Sequence, residues 1–435
     1  MTTYARELRL FSATMSVIGG IIGAGIFVSP AVVAERVGTG GLTLGVWALG
    51  GLVALAGAFC FAELAARLPR AGGGYVYLRE AFGPLPAFLY GWALLLVIAT
   101  GATAAVAFTF ARYAITLTGL PPGAERPIAV GAIVLVVGLN YVGVRPAAFT
   151  QNVFTLLKLL ALTLVIAAGV FLATSGPTPH VPASPAVSPG LWDVGRTVGI
   201  ALIPVLFTYG GWQQTNFIAE EIVDPQRTLP RALTLGVLAV IAVYVLANAA
   251  YLRVLGAAGL AQSTAPAAAT LAATLGPVGE KLISAGIAAS TFGFLNLVVL
   301  VTPRVFQAMA ADGVFFKRMA ELHPRYRTPG AAILLQGGWA VALALTGTYA
   351  RLLDYVVFGD WIFFGLCGVA VFTLRARGGE ASFRTPGYPV VPAFFVLAAA
   401  AVTVSAVLAG PRNAAIGAGL LALGIPLYLY WFKRP

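Results

Sequence analysis

The chain has 435 residues, of which 59% are hydrophobic and only 10% charged. A soluble protein of that size cannot cover so much apolar surface, so a water-soluble globular fold is excluded and an all-α polytopic membrane protein is expected. The net charge of +12 would suggest nucleic acid in a soluble chain; here it reads as Lys and Arg gathered in loops on one membrane face, with no nucleic-acid partner expected.

The opening "MTTYARELRL" runs into an apolar stretch too long for a signal-peptide core and without an obvious cleavage site. It is expected to stay as the first helix. Uncharged runs then recur, each long enough to cross a bilayer. Twelve transmembrane helices are predicted, at about 10–34, 41–66, 83–115, 127–146, 149–173, 193–221, 230–253, 278–311, 329–348, 352–374, 389–409 and 412–432. The third and eighth exceed the roughly 20 residues needed to cross, so tilt or projection from the bilayer is expected.

Residues 174–192, "TSGPTPHVPASPAVSPGLW", are rich in Pro and Ser and read as an external loop. Residues 254–277 read as an outer loop carrying short helices. With the N-terminus inside, most of the 27 Lys and Arg fall on the inner side, among them Arg67, Arg227, Arg304 and Arg375. That bias predicts cytoplasmic N- and C-termini in a cell (inner) membrane. Cys60 and Cys367 lie in apolar runs and His180 and His323 in loops, so no disulfide framework, metal site or cofactor is expected.

Two helices carry an internal weakness. The first contains "IIGAGIFVSP" (Ile21 to Pro30), and the sixth contains "FTYGGWQQTNFIAEE" (Phe207 to Glu221) with Pro204 shortly before it. Glycine costs about 1 kcal/mol against Ala in a helix interior. Irregular backbone at membrane depth is tolerated only inside protein or beside a cavity. The two weak points lie five helices apart, an odd number, so the second set of five starts on the opposite side of the membrane. That pattern points to an inverted-repeat transporter. The division follows as 1–173 (helices one to five), the loop 174–192, 193–377 (helices six to ten) and 378–435 (the last two helices).

Unwinding would expose amide N–H groups at the start of one half-helix and carbonyls at the end of the other. The amides suit a carboxylate and the carbonyls an ammonium or cation, the two ends of a zwitterionic amino acid. The alternative, that these glycines only allow close packing, stays open, because Gly19 and Gly23 form a small-xxx-small pair.

Lys158 stands about nine residues into helix five, roughly 14 Å along it. An uncompensated lysine there costs about 3 kcal/mol or more, so it should face the bundle interior and bond backbone carbonyls. Asp360, in "VVFGDWIFFGL", reads as a proton carrier, a helix-end partner or a near-surface acid. Glu63, Glu220 and Glu221, beside Arg67, Arg227 and Arg231, are expected to build an inner gate or anchor. Asn296 is a candidate pocket-lining group. No nucleophile–base pair appears, so an enzyme is not expected. A nutrient receptor would call for a longer tail than the closing "YWFKRP". Neutral substrates are expected, because no acidic residue stands beside either weak point.

"IIGAGIFVSP" together with "YGGWQQTNFIAEEIVDPQRTLPRA", "VYVLANAAY" (Val243 to Tyr251) and "STFGFLNLVVLVTPRVFQAMAADG" (Ser290 to Gly313) resembles the L-type amino acid transporter family of the amino acid–polyamine–organocation superfamily. The resemblance implies a leucine-transporter-type fold, with discontinuous helices one and six, and sodium-independent transport, commonly exchange. Proton-coupled symport is the alternative. It also implies that amides around Gly23, Ala24 and Gly25 bind the substrate carboxylate, and that carbonyls near Ile21, Phe207 and Gly210 bind the α-amino group. Phe207 would gate the outward side, Tyr244 would link the substrate to helix seven, and Lys158 would stand in for a coupling sodium ion.

Two departures are Ala24, where many relatives have Ser, and Thr302-Pro303, where relatives often show two small hydroxyl residues. Pro303 should kink that helix. Mammalian members pair with a glycoprotein through a cysteine after helix three. "TLTGLPPGAERP" has none, so no disulfide-linked heavy chain is expected.

Overall fold

The computed structural model describes residues 3–172, 191–346 and 349–432, so the predicted loop at 174–192 falls almost wholly outside the described residues. Apart from a single parallel bridge between Leu8 and Ile222, the described residues form helices. α1 (Leu10–Ile21) and α2 (Gly25–Val37) are followed by α3 (Gly40–Arg67) and the short α4 (Gly74–Phe82). α5 (Pro84–Ala93) and α6 (Ala99–Thr118) join through a π-turn at Leu94–Ile98. α7 (Glu125–Tyr141), α8 (Val144–Ala167, prolonged as a π-turn through Leu172) and α9 (Leu191–Tyr209) lead to a 3-10 helix at Trp212–Glu221. α10 (Pro225–Gln262), α11 (Pro266–Leu275), α12 (Pro277–Val301) and α13 (Pro303–Ala311) come next. The remainder is α14 (Gly330–Thr346), α15 (Tyr349–Ala376), α16 (Val390–Ala409), α17 (Pro411–Ala422) and α18 (Gly424–Phe432).

Among the described residues, ten helices are long and apolar enough to cross a membrane, and α1 with α2, bent by 44° at their break, makes an eleventh. α14 is apolar but shorter. The chain is therefore a multi-pass membrane protein. Three predicted details shift. The junction expected at 146–149 lies at Val142–Gly143, where Gly143 turns the chain at φ 138°. α4 has no counterpart in the predicted helices. The inner half of helix six is wound as a 3-10 helix rather than an α-helix.

Three prolines inside helices remove the N–H that would bond the carbonyl four residues earlier. Each stranded carbonyl meets a side chain from another part of the chain. Ile26 O, freed by Pro30, faces the Tyr251 hydroxyl at 3.5 Å. Ile200 O, freed by Pro204, accepts from Arg36 at 2.7 Å. Gln226 O, freed by Pro230, accepts from Ser382 Oγ at 2.9 Å. In lipid an unmet carbonyl costs several kcal/mol, so such partners lower the cost of a proline inside a helix. At Thr302, α12 hands over to α13 with Pro303 as its first residue, the interruption predicted there.

The face of the bundle that carries the N-terminus is closed by ion pairs. Arg304 forks onto Glu221, with Nε to Oε1 at 2.6 Å and Nη2 to Oε2 at 3.2 Å, and both side chains are buried. Arg304 also donates to Leu300 O. Glu63 receives Arg67 at 3.1 Å, Arg375 at 2.8 and 2.7 Å, and the Thr385 amide at 2.8 Å. Asp312 receives Tyr75 and Arg79 at 2.8 and 2.6 Å.

Arg227 and Arg231 are the arginines beside the helix-six glutamates in sequence; in the fold Glu221 takes Arg304 and Glu220 accepts the Ala71 amide. The N-terminal segment seals this layer. Glu7 and Leu8 donate their amides to Glu221 O at 2.9 and 3.0 Å, and Tyr4 donates to Gln307 Oε1. Burial holds the Tyr4 hydroxyl well above the usual tyrosine range, so it stays a donor.

Candidate functional site

The two broken helices cross with their backbones touching. A Cβ on Gly211 would lie 2.1 Å from Gly20 O, and one on Gly20 would lie 2.7 Å from Gly211 O. Only glycine permits that approach at either position. Both helices stop at the crossing: α1 ends with Ile22 extended at ψ 93°, and α9 ends at Tyr209 before Gly211 turns at φ 107°.

The first break leaves backbone groups open. Ile22 N still bonds Ile18 O at 2.9 Å, and Phe27 N bonds Ala24 O at 3.1 Å. The amides of Gly23, Ala24 and Gly25 have no backbone acceptor. They stand at the start of α2, where the helix dipole adds positive potential. On the other side of the break, the carbonyls are held by side chains of distant helices. Lys158 Nζ donates to Gly19 O at 3.0 Å and Ile22 O at 2.6 Å. Ser290 Oγ lies 3.4 Å from Ile22 O and 3.3 Å from Gly23 O. Tyr244 donates to Ile21 O at 3.1 Å, and Thr208 O lies 3.3 Å from the same hydroxyl.

Lys158 is fully buried and passes Gly293, where a Cβ would sit 3.6 Å from Nζ. Its Nζ thus supplies donors where the broken helix has lost its own. The second break is satisfied by its own segment. Gly210 N bonds Phe207 O at 3.1 Å, Gly211 N bonds Gln213 Oε1 at 3.0 Å, and Gln214 N bonds Gly211 O at 3.2 Å.

Both breaks open onto one cavity of about 250 Å³. Ile21, Gly23, Ala24 and Gly25 line it on one side, Phe207 and Gly210 on the other, and Asp360 and Trp361 across from α15. Half of Phe207 is exposed, although it lies deep within the sequence of a spanning helix. The lining continues along one stripe of α6, through Ala99, Ala102, Val106 and Thr109, away from the ion-paired N-terminal face. Leu94 and Ile98, the two ends of the π-turn, are also in the wall, a common place for such bulges.

Three sequence candidates stand apart from the lining. Lys158 and Tyr244 act one layer back, on the backbone that shapes the site. Asn296, expected in the pocket, does not line this cavity. It accepts from Asn140 at 3.1 Å and donates to Ala147 O and Gln151 Oε1 at 3.1 and 3.2 Å, tying α7, α8 and α12 together. Sequence reading passed over Ser290, Thr208, Gln213 and Trp361. Ser290 and Thr208 are small hydroxyl residues within largely apolar runs, a weak signal; Trp361 follows Asp360 directly and could have been drawn in with it. No three His, Cys, Asp or Glu side chains converge among the described residues. Cys60 and Cys367 are buried and unpaired.

The amino acid permease family profile matches residues 8–431. The serine/threonine exchanger SteT of Bacillus subtilis is 32% identical over 434 residues, covering 99% of this chain and 97% of the relative. The human large neutral amino acids transporter small subunit 2 is 33% identical, covering 99% of this chain and 82% of its own. The human b(0,+)-type amino acid transporter 1 is 32% identical, with 94% and 84% covered. These relatives are transporters and exchangers, not enzymes. With this coverage from end to end, and its two broken helices meeting at one cavity, the chain belongs to the amino acid permease family.

Proposed function

We propose that the protein exchanges L-amino acids across the cell membrane by alternating access, without sodium, and that neutral amino acids are among its substrates. The observation that carries this reading is the first break. Three amides at a helix start without backbone acceptors, and the residues carrying the carbonyls of Ile21, Phe207 and Gly210, line one cavity, which suits the two charged ends of an amino acid. The α-carboxylate sits on the amides of Gly23, Ala24 and Gly25, and the α-amino group near the carbonyls of Ile21, Phe207 and Gly210. Phe207 covers the substrate from the open side.

Sodium independence is supported by Lys158, whose ammonium already occupies the carbonyl cluster at Gly19 and Ile22. Neutral substrates and exchange are supported by the names of the relatives. In this reading the chain makes twelve spans, counting α14 and the bent pair. They form two inverted repeats, 1–173 and 193–377, followed by the segment 378–435, with both termini cytoplasmic. The ion-paired face is then the closed cytoplasmic gate and the cavity faces outward. Transport proceeds without a disulfide-linked heavy chain.

The test is counterflow in proteoliposomes loaded with one amino acid and offered the full set, with and without sodium or a pH gradient. Exchange predicts uptake only into loaded vesicles, indifferent to sodium. Uptake into empty vesicles driven by a pH gradient would replace exchange by proton symport.

A further inference from the structure

Among the described residues, Asp360 is the only ionisable side chain in the cavity wall. Among the described residues it has no ion-pair or hydrogen-bond partner. Among the described residues no basic side chain shares the wall with it, and the buried Lys158 is spent on Gly19 O and Ile22 O behind the first break. Elsewhere in the chain, buried carboxylates are met by arginine, as at Glu63 and Glu221. Asp360 instead lines open space without such a partner among the described residues, and that space is where the proposed substrate sits.

We propose that Asp360 gives the cavity a subsite for a cationic side chain, so that a basic amino acid is taken in preference to its neutral isostere. This rests on the amino acid transport reading. With the α-carboxylate on the first break, the side chain is the part left to reach across to α15. Leu94, Ile98 and Ala99 give an apolar path for the methylene stem, and the carboxylate at its end receives the ammonium or guanidinium. The Trp361 and Phe364 rings border the same space and favour a cation over a neutral amide.

A neutral isostere in that position would leave a carboxylate shut from water with no opposite charge. Small neutral substrates, too short to reach α15, leave room for water around Asp360 and remain compatible with the site. The expectation of purely neutral substrates came from the immediate neighbours of the breaks in sequence. Asp360 comes to the cavity from far along the chain.

The test uses arginine and citrulline, which share shape and length but differ in charge. Full-length protein in proteoliposomes loaded with unlabelled amino acid is offered each labelled compound, as wild type, Asp360→Asn and Asp360→Glu. Wild type should exchange arginine over citrulline by about tenfold, Asp360→Asn should bring that ratio to unity or below, and Asp360→Glu should keep part of it. A wild-type ratio near unity, or a ratio unchanged in Asp360→Asn, overturns the proposal. If Asp360→Asn does not fold, as judged by size-exclusion chromatography, the wild-type melting temperature decides. A larger rise with arginine than with citrulline supports the subsite, and equal rises reject it. Exchange of neutral amino acids without any arginine preference removes the subsite alone. No exchange of any amino acid removes the transport reading with it.

Discussion

The two broken helices cross at glycine and yet solve the loss of helical hydrogen bonding in opposite ways. The second break, at Gly210-Gly211, is closed mainly by residues within its own segment, from Phe207 O to Gln213 Oε1, with Tyr244 reaching only Thr208 O from outside. The first, at Ile22 to Ala24, borrows its donors from three other helices through Lys158, Tyr244 and Ser290, and leaves its amides open. A self-satisfied break is a rigid wall. A break held by foreign side chains has a shape that depends on the packing of the whole bundle, and its free amides can take a ligand.

The largest effect is expected where the two breaks touch. Gly211→Ala puts a Cβ 2.1 Å from the Gly20 carbonyl on a backbone already at φ 107°. At least about 2 kcal/mol of stability should be lost, together with exchange, in a thermal-shift and counterflow pair.

Next comes the donor that only the first break uses. Lys158→Ala strands the carbonyls of Gly19 and Ile22 and should cut the exchange rate by about a hundredfold, from about 3 kcal/mol of lost support. The purified variant should still elute as a single species, because transport is the property expected to suffer most. Unchanged rates would take Lys158 out of the mechanism.

Tyr244→Phe removes one hydroxyl shared between Ile21 O and Thr208 O, and a slowing of about fivefold is expected from about 1 kcal/mol. Ser290→Ala removes two long contacts at 3.3 and 3.4 Å. Its effect should stay near twofold in the same assay, because long hydrogen bonds are weak. Smallest of all should be Gly23→Ala, whose added Cβ meets nothing closer than Phe294 at 3.8 Å. Exchange comparable with wild type is the expected outcome. A loss as large as that of Gly211→Ala would mean that the first break tolerates no side chain either, and the contrast between the breaks would fall.

Much of this was readable in the sequence because it depends on near neighbours in the chain. Gly23-Ala24-Gly25 and Gly210-Gly211 stood out against apolar runs, and both coincide with real interruptions. The demand that Lys158 find carbonyls followed from the cost of a bare ammonium in lipid, and it finds two. The partners of other groups were out of reach. Glu221 sits near Arg227 and Arg231 in sequence, yet the 3-10 winding of Trp212–Glu221 presents it to Arg304 of α13. Asn296 had the right depth for the pocket and the wrong azimuth, facing Asn140 and Gln151 instead.

The sequence by itself determined that this chain lies in a membrane, which of its helices are broken and where a buried charge must be answered. Hydropathy, glycine content and desolvation act on each segment locally, so they can be read in order along the chain. Only the tertiary structure decided which distant side chain answers each stranded carbonyl, as Arg36 does for Ile200 and Ser382 for Gln226. It alone also brought Asp360 to the same cavity as Gly23, Ala24 and Gly25. Those choices depend on how helices rotate and cross, and packing sets that for the bundle as a whole.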